Sequence, residues 1–111
     1  MDRLDAKDPS QNIPLLKVLN NVDRAALIDE YGYDKYASLV GFGKSFKLVG
    51  DKLFKVVGGN LREVPSVTRR AALLRETHAA GGHVGVMKLY HMTRSMFYWP
   101  SLIEDCIQVV D

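Results

Sequence analysis

Thr77-His78-Ala79-Ala80-Gly81-Gly82-His83-Val84-Gly85 is the stretch on which the reading of this chain turns. Two histidines bracket a double glycine, and glycine lets a backbone fold back sharply where other residues resist. Upstream, Pro65 stops strand pairing and Ser66 can cap a helix running to about Ala79. Val67, Ala71, Leu74 and His78 fall on one stripe of that helix at helical spacing. Downstream, a second helix starts near Val84 or Gly85 and ends near Phe97, with Val86, Leu89, Thr93 and Met96 expected on its buried stripe. Tyr98-Trp99-Pro100 reads as a tight aromatic corner, with the proline placed to open a third helix. In that helix Leu102, Cys106 and Val109 line one face, with Ile103 and Val110 beside them. The last two helices, joined by a short corner, have the layout of a helix-turn-helix.

Working back toward the N-terminus, the pattern changes from helical to extended. Ser45-Phe46-Lys47-Leu48-Val49 and Lys52-Leu53-Phe54-Lys55-Val56-Val57 flank Gly50-Asp51, a strong hairpin signal. Gly58-Gly59-Asn60 makes a second turn, and Leu61-Arg62-Glu63-Val64 has the composition of a third strand. Before the sheet, residues 32–43 read as a connection with one short helical stretch around residues 35–40. Asp23 is a good N-cap for a helix through Tyr31, which Gly32 ends. Pro14 opens a short apolar segment over residues 15–19. Residues 1–13 are expected to be a disordered tail, residues 14–64 an extension with helix and hairpin, and residues 65–111 a three-helix domain. The expected fold class is α+β.

Composition bounds the function. The chain has 111 residues with 47% hydrophobic and 25% charged side chains, as in ordinary globular proteins. Its single cysteine excludes an internal disulfide and suggests a reducing compartment, so an intracellular site in nucleus or cytoplasm is expected. No apolar run approaches the roughly 20 residues needed to span a bilayer. Net charge is only +2, but residues 44–94 hold ten basic against three acidic side chains, net +7, between two acidic ends. Such a block suits a polyanion and equally suits a solvated surface. Gly41-Phe42-Gly43-Lys44-Ser45 lacks the spacing of a phosphate loop. Glu104-Asp105 and Asp29-Glu30 are adjacent on helices and point apart, so neither is an acid/base dyad.

His78 and His83, brought together by the bend, can converge on an ion that takes nitrogen ligands at about 2.0–2.1 Å, such as zinc. Spacing alone more often describes a surface pair or helix-capping groups. The longer pattern narrows the choice: Leu53-Phe54, Val64-Pro65, the run from Arg70 to His78, Gly82-His83-Val84-Gly85, Lys88-Leu89 and Phe97-Tyr98-Trp99-Pro100, in this order. It resembles the zinc-binding N-terminal domain of integrases from gypsy-type retrotransposons and retroviruses, over roughly residues 47 to 111.

The resemblance implies three helices folded around one Zn2+, with His78 and His83 as two ligands and a later Cys-x-x-Cys pair as the others. That pair is expected past Asp111, so the present chain would hold half a site. Cys106 lies too early and reads as a core residue. The resemblance further implies a module without a catalytic core, assisting DNA binding and multimerisation within an integrase polyprotein, with DNA and copies of itself as partners and no small-molecule substrate. Arg69, Arg70, Arg75, Lys88 and Arg94 are the candidate phosphate contacts. His91 reads as a surface residue and Trp99 as a core anchor. The alternative reading is a host-adapted or decayed relative serving as a metal-free protein–protein interaction domain. A stand-alone DNA binder ranks last, because no helix carries a clear base-reading set.

Overall fold

The computed structural model describes residues 8–110. Two apolar clusters organise it, one under the N-terminal helices and sheet, the other inside the C-terminal helices. Three helices come first: α1 (Ile13–Leu19), α2 (Arg24–Tyr31) and α3 (Tyr33–Gly43). Asn12 and Asp23 cap α1 and α2 by accepting from Leu15 N–H and Ala26 N–H. Gly32, at φ +88°, separates α2 from α3. The helix α3 is longer than the short stretch expected. Leu39 is drawn into the first core beside Leu15, and that burial stabilises a segment of weak intrinsic propensity.

The antiparallel sheet has strand order β1 (Phe46–Val49), β2 (Lys52–Val57), β3 (Asn60–Glu63). Phe46 faces Lys55, which faces Arg62, so these three share one face of the sheet. The same face carries Leu53, buried with Phe46 and Val64 in the first core. Both turns and the three strands lie where the alternation places them.

The C-terminal unit is α4 (Val67–Ala80), α5 (Val86–Arg94) and α6 (Leu102–Val110). Leu74, Leu89, Trp99, Leu102 and Cys106 form its core. Chain architecture is therefore mixed α and β, as expected.

Three expectations are corrected. The buried face of α4 is Arg70 and Leu74, flanked by Leu73, Thr77 and His78, while Val67 and Ala71 are exposed. The helix has turned so that Arg70 enters, because its charge finds a partner there. Met96 is 56% exposed, since α5 ends at Arg94 and the chain then leaves the helical stripe. The third helix opens at Leu102 rather than at Pro100; Pro100 and Ser101 form the turn before it. Of the expected tail, residues 1–7 lie outside the described residues. The remainder is ordered: Pro9–Gln11 form a 3-10 turn capped by Asp8, and Asn12 is buried.

The aromatic corner joins the two cores. Glu63 N–H donates to Met96 C=O, and Tyr98 N–H donates to Glu63 C=O, each at 2.9 Å, so the corner runs parallel to β3 and extends the sheet. Side chains of an extended segment alternate in direction. Tyr98 accordingly packs on the first core, and Phe97 and Trp99 on the second.

Candidate metal centre and nucleic-acid face

The bend between α4 and α5 is built from the residues the sequence singles out. Gly82 takes φ +80°, and His83 follows at φ +59°, the left-handed region that non-glycine residues seldom occupy. Gly81 and His83 close the turn by donating to Thr77 C=O and His78 C=O at 2.9 and 2.8 Å. Gly81 also lies against Met92; a Cβ there would sit 2.8 Å from its terminal carbon. The bend therefore uses one glycine for dihedral freedom and the other for close approach.

His78 and His83 do meet across it. Their ring centroids are 5.0 Å apart with the planes at 87°. Two imidazoles bonded to one tetrahedral ion at about 2.0–2.1 Å would have centroids about 5 Å apart, so the spacing fits a shared zinc. His78 Nε2 lies 2.9 Å from Val84 C=O. A carbonyl only accepts, so Nε2 donates to it, which leaves Nδ1 as the nitrogen that a metal could take. A backbone carbonyl fixing the tautomer of a ligating histidine is a common supporting contact in metal sites. The pair could supply at most two of the four ligands of a structural zinc, and among the described residues no group of three or more metal-binding side chains assembles. When bound, zinc would tie α4 to α5 and add folding energy.

Cys106 takes no part. It is fully buried on α6 in the second core, and burial together with the charge of Asp105 pushes its thiol up to about 11. Such a thiol stays protonated and packs as a small apolar group. Trp99 is 2% exposed and donates from Nε1 to Asp105 at 2.8 Å, as befits a core anchor. His91 is exposed on α5.

The five basic candidates separate. Arg75, Lys88 and Arg94 are exposed, and Arg94 lies over the Tyr90 ring at 5.5 Å. Arg69 is paired with Glu63 at 2.7 Å across an exposed surface. Arg70 is turned inward. Its Nε donates to Pro65 C=O, and its terminal nitrogens donate to both oxygens of Asp8 at 2.7 and 3.0 Å and to Ser10. The guanidinium also stacks over Trp99, 5.4 Å from the ring centroid. With those donors engaged and the residue 6% exposed, Arg70 has nothing to offer a phosphate. Sequence reasoning missed this role because the partner, Asp8, is remote in the chain and lies in a stretch with no periodic signal. Lys55 and Arg62 were also missed as candidates; their cross-strand register, legible from the hairpin, was the available signal.

A helical unit whose first two helices meet at a glycine bend bearing two facing histidines has the layout of a small module that a metal ion could staple. Residues 65–111 match the family model described as the integrase zinc binding domain. The match covers less than half of the chain, and the N-terminal helices and the sheet lie outside it. No curated protein and no solved structure matches the chain. Zn2+ is the ion that this family's description names. No helix among the described residues is long and apolar enough to cross a membrane.

Proposed function

We propose that this chain is the non-catalytic N-terminal module of an integrase of the retrotransposon or retroviral type, stapled by zinc through His78 and His83, which binds DNA and helps assemble the integrating complex. The observation that carries the reading is the meeting of the two imidazoles over the glycine bend, inside the segment that matches the integrase family. The corner between α5 and α6 supports a helix-turn-helix layout, and the exposed Arg75, Lys88 and Arg94 supply charge for phosphate contacts. Copies of the same chain are the partners in that assembly, within a polyprotein acting in the nucleus.

Two measurements test it. Fluorescence anisotropy on labelled duplex DNA should give an affinity that falls steeply with salt. Zinc titration should raise the melting temperature of the chain extended past Asp111 through the expected Cys-x-x-Cys pair, and leave a His78→Ala, His83→Ala double variant of it unmoved. Binding indifferent to salt, or a melting temperature indifferent to zinc, would refute the corresponding half.

One observation favours a second reading, a metal-free protein–protein interaction domain. Leu74, Leu89, Trp99, Leu102 and Cys106 form a continuous apolar core, with no metal among them. On that reading the same titration shows no shift, and the chain pulls down a protein partner rather than DNA.

A further inference from the structure

A groove of about 320 Å³ separates the distal end of the sheet from α5 and the start of α6. Three cations reach it from three different elements: Lys55 from β2, Arg62 from β3 and Arg94 from α5. Tyr90, Phe97 and Tyr98 form its aromatic wall, each half-buried. No carboxylate lines it, and among the described residues none of the three cations is in an ion pair. Of the acidic side chains nearest in sequence, Glu63 is paired with Arg69, Glu104 is exposed outside the lining, and Asp105 lines the separate groove between α4 and α6.

The cations are held rather than merely present. Lys55 Nζ lies 4.8 Å from the Phe46 centroid and 5.2 Å from that of Tyr98, and it also reaches Ser45 Oγ at 3.5 Å. Cross-strand pairing fixes Arg62 directly beside Lys55. Opposite them, Arg94 is laid over Tyr90. Like charges brought together without a counter-charge cost free energy unless an anion joins them. The anion that suits the remaining lining also presents a flat π surface to the aromatic wall. A double helix keeps its base faces stacked inside, so it can use the cations but not the rings. An unpaired nucleotide uses both, its phosphate on the cations and its base on an aromatic face.

We infer that this groove binds an unpaired segment of a nucleic-acid strand, with Lys55 and Arg94 moving off the Tyr98 and Tyr90 rings to join Arg62 on the phosphates and a base taking the ring faces they cover. This deepens the nucleic-acid reading above and rests on it. It moves the main contact from the outer helix faces to the seam between sheet and helices. The seam exists only because the aromatic corner joins the two cores.

The test is anisotropy on the full chain with four labelled probes: a single strand, the same strand with abasic sites, a blunt duplex and a duplex with a single-stranded overhang. Three proteins are compared: wild type, Lys55→Gln/Arg62→Gln, and Arg75→Gln/Lys88→Gln as the outer-face control, each checked by thermal melting. Expected are a preference for the single strand and the overhang over the blunt duplex, and weaker binding to the abasic strand. The groove variant should lose roughly 25-fold at 0.1 M salt, the counterion-release value for two single-strand contacts, with its salt slope reduced by about 1.4. The control should keep wild-type affinity for the single strand. Equal affinity for strand and blunt duplex, or for normal and abasic strands, overturns the inference, and both readouts use the wild-type protein. Loss in the control with none in the groove variant overturns the groove while leaving DNA binding by the module intact. Absence of binding to every probe removes both readings.

Discussion

Replacing Arg70 with methionine keeps an apolar stem against Trp99 and deletes the guanidinium. The change removes donors to Pro65 C=O, to both oxygens of Asp8 and to Ser10, and it leaves the Asp8 carboxylate with Ser10 alone. Breaking a fully buried pair costs about 3–5 kcal/mol, whereas an exposed pair is worth about 0–1 kcal/mol. The Arg70 side chain is 7% exposed and that of Asp8 is 18%, which places this pair between the limits and toward the buried one. A loss of about 2–3 kcal/mol at neutral pH is therefore expected, read by urea unfolding. A domain of this size should melt roughly 10–20 °C lower as a result. An Asp8→Asn companion closes a double-mutant cycle, with a coupling energy on the order of 2 kcal/mol.

Acid gives an independent check on the same contact. Burial pushes the Asp8 carboxyl up, but hydrogen bonds from Arg70 and Ser10 and the charge of Arg70 outweigh it, and the net position lies below 3.8. A carboxyl lowered in the folded state stabilises the fold above its unfolded value and loses that contribution as pH falls through the folded one. Wild type should thus lose stability below about pH 3.8 through this group, and Arg70→Met should lack that component. A cost under about 0.5 kcal/mol with no coupling to Asp8 would refute the reasoning, since exposed pairs alone reach that size. It would mean that the segment before α1 does not dock on α4.

The remaining predictions follow the same logic. Thr93 Oγ1 is buried with no hydrogen-bond partner, so Thr93→Val, which keeps the shape, should be neutral or stabilise by up to about 1 kcal/mol in urea unfolding; a loss above that size would reveal a polar partner for the hydroxyl. Cys106 should resist alkylation at pH 8 until the chain unfolds, and stability should erode as pH climbs past 9.0 toward 11, because the unfolded thiol ionises first; fast native-state labelling would contradict its buried place in the core. Gly82→Ala meets no atom within 4 Å but must hold φ +80°, so it should cost about 1–2 kcal/mol from backbone strain alone and weaken zinc binding by opening the bend; unchanged melting and unchanged zinc response would argue against this geometry.

Much of the architecture is legible in the sequence. Alternation around Gly50-Asp51 specifies a hairpin because a strand's side chains repeat every two residues and glycine supplies the turn. The Gly81-Gly82 pair between two helical patterns forces a bend, and the flanking histidines then have little choice but to approach each other. These are local properties, set by dihedral freedom and period. Even α2, with its Asp23 cap and Gly32 stop, is local in this sense.

What tertiary structure alone decided concerns residues whose partners are distant. Arg70 looks like any helix-face arginine until Asp8 arrives from 62 positions away and its burial becomes favourable. The face of α4 turned inward follows from that pairing, because a charged group enters a core only where its donors are satisfied. Phe97-Tyr98-Trp99 reads as one aromatic cluster in the sequence, yet its members serve two cores, since the segment is extended and pairs with Glu63. The groove that brings Lys55 and Arg62 opposite Arg94 depends on that same junction. Sequence determines what depends on neighbours along the chain; charge burial and the choice between cores depend on neighbours in space.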